Sequence, residues 1–214
     1  MKTQKDIFLE SEGDKWFLRN KEKLISGKIR EDILDPLLPF LKSGMKFLEV
    51  GCSVGTSLNY IKSKVPGLEV YGMDPSKAAI IEGEKLFPSL NFKLGTVDNI
   101  DHLGKKFDFI LFGFCLYLVD RESIEKLATK VNSALIPGGN LGIIDFDTRT
   151  PRQNPYSHYD GVFSYKMDYA QIFLKDPNYY LVTKKCWSHS GDSFSEDLNE
   201  RCSTQVLYRE KVIF

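Results

Sequence analysis

The chain has 214 residues, 42% of them hydrophobic, which is enough apolar material for one sizeable core. Its 29 lysines and arginines balance 29 aspartates and glutamates, so it lacks the basic excess of a dedicated nucleic-acid binder. The four cysteines (Cys52, Cys115, Cys186 and Cys202) make no C-x-x-C pair and no cluster with histidine, which argues against a metal site or a disulfide framework and for a reduced, cytoplasmic setting.

Asp6–Leu9 and Asp14–Leu24 have helical spacing, with Trp16, Phe17 and Leu18 beside Arg19 and Asn20. Ile29–Leu41 reads as a second helix broken near its end by Pro36 and Pro39. Met45–Val50 is apolar and β-favouring, a buried strand that stops at Gly51; Thr56–Lys64 then reads as a helix. Leu68–Met73 is the next strand, closed by Asp74, Pro75 and Ser76. A helix over Ser76–Phe87 and a short strand at Asn91–Leu94 follow. Lys106–Phe112 is a continuous apolar strand of the kind buried in parallel sheets. Arg121–Leu135 is an amphipathic helix with Ile124, Leu127, Ala128, Val131 and Leu135 on one face. It ends in a turn at Pro137–Asn140, ahead of a strand at Leu141–Phe146. Strands alternating with helices imply a parallel sheet. The alternation then stops: Asp168–Leu174 reads as a helix, and Asn178–Ser188 and Cys202–Phe214 are β-rich runs joined through Ser190–Phe194, hence antiparallel. Met1–Glu10 is too polar for a signal peptide, and the longest apolar run, Phe109–Val119, is far too short to span a membrane.

The stretch Lys46–Ser57 organises the chain. Its turn is G-x-x-x-G, from Gly51 to Gly55, and not the G-x-G-x-x-G that seats a pyrophosphate. Glycine there admits positive φ and lets a ligand approach bare backbone, where a helix start presents unpaired N–H groups. Glu49, two residues earlier, would repel a phosphate and suits a ligand carrying an amino group. Asp74, at the end of the second strand, is placed to accept both hydroxyls of a ribose. Glu49, the glycine turn and Asp74 closely resemble the class I S-adenosylmethionine-dependent methyltransferases, with Ser53 where the usual middle glycine stands. The helix, Pro-Gly-Gly turn and fifth strand resemble the same family, so the likeness covers residues 44–147. It implies an α/β fold: a Rossmann-like seven-stranded sheet, mostly parallel with an antiparallel C-terminal hairpin, and helices on both faces. Residues 1–214 are then one methyltransferase domain, with a helical cap over 1–43, the cofactor core over 44–147, and the acceptor loop, helix and hairpin over 148–214.

The resemblance implies S-adenosylmethionine as cofactor and S-adenosylhomocysteine as product. Glu49, Gly51, Cys52 and Gly55 would face the amino-acid part, and Asp74 and Pro75 the ribose. Trp16 or Asn20 of the cap would touch the cofactor. Adenine recognition is open between Asp98 and the pair Thr96 and Val97. Phe114 and Tyr117 follow the fourth strand, where the family's loop walls the cofactor and faces the methyl group. Cys52 reads as a small residue filling a turn, with a thiol activated by the helix start as the alternative.

The connection Asp145–Tyr165 is long, and such connections are commonly functional. Its Arg149, Tyr156, Tyr159 and Tyr165 are candidates for holding the acceptor. Removing a proton from an alcohol acceptor calls for a base, for which His158 stands first, His189 second and Asp147 as a competitor. The expected activity is methyl transfer to a small-molecule acceptor, a hydroxyl of a sugar or natural-product intermediate, without metal, nucleic acid or membrane; a homodimer is left open. The alternatives are a nucleic-acid methyltransferase, opposed by Gly113-Phe-Cys-Leu where N/D-P-P-Y would stand, and a non-catalytic cofactor-binding protein.

Overall fold

The computed structural model describes residues 2–26, 28–191 and 194–211. Part of the expected Ser190–Phe194 joint and the last three residues of the expected Cys202–Phe214 run lie outside the described residues. Seven strands form one sheet: β1 (Lys46–Val50), β2 (Glu69–Asp74), β3 (Asn91–Leu94), β4 (Phe107–Gly113), β5 (Leu135–Phe146), β8 (Tyr179–Ser188) and β9 (Arg201–Arg209). Their order is β3-β2-β1-β4-β5-β9-β8. The first five are mutually parallel, and β9 runs antiparallel between β5 and β8. The expected sheet is therefore the observed one.

The apolar β4 side chains are buried because helices cover both faces. Ile110 and Phe112 pack with Leu48, Met73 and Ile143 under helix α6 (Arg121–Ala134), which adds Ile124, Leu127 and Val131. Phe109 and Leu111 pack on the other face with Phe47, Val70 and Val206, under helix α4 (Thr56–Lys64), which adds Leu58 and Ile61. At about 25 cal/mol per Å² of apolar surface, this double burial is the main force holding the sheet.

Four local readings need correction. The N-terminal segment is one continuous helical rod. It runs from α1 (Gln4–Ile7) through a π-helical turn at Phe8–Glu12 into α2 (Gly13–Ser26). Strand β5 begins at Leu135, directly after α6; the Pro-Gly-Gly turn is a bulge within it. Leu135 pairs with Phe107, the chain loops out with Gly138 at φ +83°, and pairing resumes at Asn140 opposite Phe109. The expected Asp168–Leu174 helix is one turn, α7 (Ala170–Phe173), and the long connection contains an unforeseen hairpin, β6 (Arg152–Pro155) with β7 (Phe163–Lys166). The Ile29–Leu41 stretch, expected as a helix broken near its end, is α-helical only over α3 (Glu31–Leu34) and tightens at its prolines into a 3-10 turn at Asp35–Phe40. The remaining helix is α5 (Lys77–Leu86). Among the described residues no helix is long and apolar enough to cross a membrane.

Candidate active site

Parallel strands present their C-terminal ends to one edge of a sheet, and ligands bind there because the loops leave unpaired backbone groups. A cavity of about 820 Å³ lies along this edge and is lined from the loop after β3 to the end of β8. At its β1–β2 end, Glu49 is almost fully buried, with Oε2 unpaired among the described residues. Burial, and then repulsion by Asp74, push its carboxyl up to about 8. The room for this side chain comes from Gly113 on the neighbouring strand, where a Cβ would collide with Glu49 Oε1.

The turn after β1 is bent to the same end. Gly51 has φ +83°, and a Cβ there would stand 2.6 Å from the Cys115 Cβ. Ser53 replaces the usual glycine at φ +49°, and its N–H donates to Asp74 Oδ2 at 2.8 Å. The other oxygen of Asp74 accepts from Ser76 N at 2.8 Å. Burial nonetheless raises Asp74 to about 6, because these two hydrogen bonds only partly offset desolvation. Among the described residues, Ser53 and Phe114 are the non-glycine positions with positive φ, and both line the cavity. Left-handed backbone of this kind persists where surrounding packing over-determines it, as at ligand sites.

The N-terminal rod roofs the cavity. Asp120 accepts Gln4 N and Lys5 N at 2.9 and 2.8 Å, and the Gln4 amide bridges Leu118 O and Phe163 N. At the far end, Phe17 is buried against Val54 and Ala79, and Thr56 Oγ1 donates to Leu24 O at 2.9 Å. In the middle, Asp14 accepts from Ser76 Oγ and Ala78 N, capping α5. The fully buried Glu12 accepts from Tyr156 Oη at 3.0 Å, and Arg19 pairs with the same oxygen while donating to Tyr156 at 3.2 Å. These pins join the rod to both halves of the molecule.

Trp16, Asn20, Glu49, Gly51, Cys52, Asp74, Pro75, Thr96, Val97, Asp98 and Phe114 all line the cavity, as do Tyr117, Tyr156 and His158. Gly55 is set apart: its missing Cβ makes room for the Phe92 ring, so it serves packing. The activated-thiol alternative for Cys52 fails, since burial drives its pKa well above the ordinary range. Thr96 and Asn99 form a capping box on the 3-10 turn Val97–Leu103, while Asp98 is held by Ser123 Oγ at 3.0 Å and Lys5 at 3.7 Å.

At the acceptor end several expectations need correction. Asp147 is buried away from the cavity, its carboxylate engaged by Lys184 Nζ at 2.8 Å, which also reaches Asp168. Arg149 is exposed and off the cavity, and Tyr159 and Tyr165 also lie outside its wall. The Tyr165 ring instead sits 3.9 Å from the Arg121 guanidinium carbon. Residues the sequence did not single out fill the gap. Trp187 lines the main cavity, and Phe146 and Lys166 line a side cavity of about 210 Å³. Phe114, Tyr117, Tyr156, Ser157 and His189 border both cavities. The turn carrying Tyr117 is held by buried Asp145, which accepts from Leu116 N at 2.8 Å and Phe146 N at 2.7 Å; burial raises it to about 7.

A family model described as a methyltransferase domain matches residues 19–201. A protein of Invertebrate iridescent virus 6 is 29% identical over 84 residues, 39% of this chain and 31% of that protein. The chain spans less than half the length of the curated relatives it matches. Among solved structures, a TehB-like S-adenosylmethionine-dependent methyltransferase from Corynebacterium glutamicum superposes with TM-score 0.66 at 16% identity, over 94% of this chain and 99% of that one. The Burkholderia thailandensis 1,6-didemethyltoxoflavin-N1-methyltransferase, solved with that compound and S-adenosylhomocysteine bound, gives TM-score 0.66 at 14% identity, covering 96% and 87%. At such identities the two structures establish a shared fold.

Proposed function

Since the chain belongs to the methyltransferase-domain family, we propose that it transfers a methyl group from S-adenosylmethionine to a hydroxyl of a small molecule, a sugar or natural-product intermediate, and releases S-adenosylhomocysteine. The observation that carries this reading is Glu49, a buried carboxyl at the cavity with an oxygen left unpaired among the described residues. A buried acceptor without a donor costs about 1–3 kcal/mol, and an ammonium supplies that donor and a charge together. Ser53 Oγ, on the same cavity and also unpaired among the described residues, offers a second polar contact, so the residues present fit an amino-acid head group. When bound, S-adenosylmethionine supplies a methyl group activated on a sulfonium. Asp74 keeps lone pairs beyond its two backbone donors for ribose hydroxyls. Thr96, Val97 and Asp98 would border the base, and Trp16 and Asn20 would close over it from the rod.

The enzyme's own work is alignment and exclusion of water, because an in-line displacement asks little covalent help. Acceptor deprotonation falls to one of two histidines. His158 is exposed, and its ring stands edge-on to Tyr156 with centroids 5.3 Å apart. His189 is better supported as the base. It borders both cavities, and its Nδ1 lies 3.9 Å from Glu200 Oε2, a buried oxygen without a hydrogen-bond partner among the described residues. Burial lowers its pKa, which keeps the imidazole neutral and able to accept a proton near pH 7.

Calorimetry with S-adenosylmethionine, S-adenosylhomocysteine and NAD, on wild type and Asp74→Ala, tests the reading. Binding of the two sulfur compounds, weakened in the variant, is expected; binding of NAD alone, or of none, refutes it. Turnover that survives loss of both histidines would remove the base from the mechanism, and binding without turnover on any acceptor would favour the non-catalytic alternative.

A further inference from the structure

Resting on the methyltransferase reading, the side cavity identifies the acceptor's chemistry. We propose that the acceptor is a planar aromatic molecule carrying a carboxylate, with its ring among Phe114, Tyr117, Phe146 and His189 and its charge on Lys166. Five rings, those four and Tyr156, border this space from four separate parts of the chain. Phe114 and Phe146 meet at 5.2 Å between centroids, Tyr117 and Phe146 at 5.3 Å, and His189 stands 5.4 Å from both phenylalanines. The Phe114–Tyr117 and Tyr117–Phe146 planes are steep to each other, at 69° and 78°. Such a cluster can take a further ring in stacked or edge contacts. A volume of about 210 Å³ suits one or two fused rings.

The charge preference comes from Lys166 at the end of β7. Its Nζ lies 3.8 Å from the Phe146 centroid and donates to Asn199 O at 2.5 Å. An ammonium has three donors, so two further N–H groups remain for a ligand. Burial lowers the Lys166 pKa, which marks an ammonium short of solvation, and an anion beside it would restore what water does not supply. Ser157 and Ser164 add hydroxyls to the same wall. Phe114, Tyr117, Tyr156, Ser157 and His189 line both this cavity and the main one, so a ring hydroxyl opposite the carboxylate would lie on the side shared with the main cavity.

The test measures binding of 4-hydroxybenzoate, 6-hydroxy-2-naphthoate, neutral 4-hydroxybenzyl alcohol and glucuronate to the full chain holding S-adenosylhomocysteine, by calorimetry and Trp187 fluorescence. At least one hydroxyaryl acid should bind about tenfold more tightly than the alcohol, the discrimination expected of a hydrogen bond to a charged group, and more tightly than glucuronate. Lys166→Met should bring the acid-to-alcohol ratio close to one, and Lys166→Arg should keep it. Each variant's binding of S-adenosylhomocysteine and its thermal unfolding report separately on fold and cofactor site. Failure of wild type to bind S-adenosylhomocysteine sinks the underlying reading. Intact cofactor binding overturns this inference if neither acid binds below about 1 mM. Glucuronate or the alcohol binding as well as the acids, or a ratio unmoved in Lys166→Met, also overturns it.

Discussion

Replacing Glu49 by glutamine should stabilise the free protein at neutral pH while weakening cofactor binding. The carboxyl has an ordinary value of 4.5 and is pushed up to about 8 in the fold, first by burial and then by Asp74. Between those two values the unfolded chain gives up its proton and the folded chain keeps it, so stability is complete below pH 4.5 and falls as pH rises towards 8. At about 1.36 kcal/mol per unit, the loss reaches about 4 kcal/mol at pH 7.5 and about 1 kcal/mol at pH 5. The glutamine amide carries its own burial cost of about 1–3 kcal/mol, but that cost does not depend on pH. The variant should therefore gain about 3 kcal/mol relative to wild type between pH 5 and pH 7.5. A chain of this size moves by about 2–4 °C per kcal/mol, so the difference in Tm should swing by about 6–12 °C in favour of the variant. Thermal unfolding of both proteins at the two pH values reads this directly. Calorimetry at pH 7.5 should show S-adenosylhomocysteine binding weakened about tenfold or more, because a glutamine cannot ionise to pair with the ligand's ammonium. A Tm difference that does not change with pH would refute the account of Glu49 as a buried, proton-holding carboxyl. Unweakened binding would refute its role at the amino group.

Gly113→Ala should keep the sheet but displace the Glu49 carboxylate, because the added Cβ meets Oε1; calorimetry should show weakened cofactor binding with little change in circular dichroism. Tyr156→Phe removes the hydroxyl shared by Glu12 and Arg19 and should cost about 1–3 kcal/mol by chemical denaturation, with faster hydrogen exchange in residues 4–20. Asp147→Asn weakens the Lys184 contact while Asp168 still engages that lysine, so it should reduce stability by about 1 kcal/mol and leave the pH profile of turnover unchanged. His189→Gln, by contrast, should remove the acid limb of that profile while His158→Gln preserves it.

The cofactor end of this protein was legible in the sequence because it is built from consecutive units. A strand, its turn and the helix after it lie together in the chain, so Glu49, Gly51 and Asp74 carry their geometry in their spacing, and Lys46–Val50 and Thr56–Lys64 follow from local pattern. The acceptor end was not legible, because its neighbours are far apart in sequence and its side-chain directions depend on register. Tyr156 and Glu12 hydrogen-bond across 144 residues, and the wall of the side cavity draws on β5, β7 and the end of β8. Asp147 and Asp145 stand two residues apart on the same run. Asp145 turns to hold the Tyr117 loop, while Asp147 continues past β5 and meets Lys184 of β8. Composition assigns such a pair no separate roles. Only the packing of the antiparallel hairpin against the parallel sheet decides which carboxylate is locked in an ion pair and which side chains are left lining the cavities.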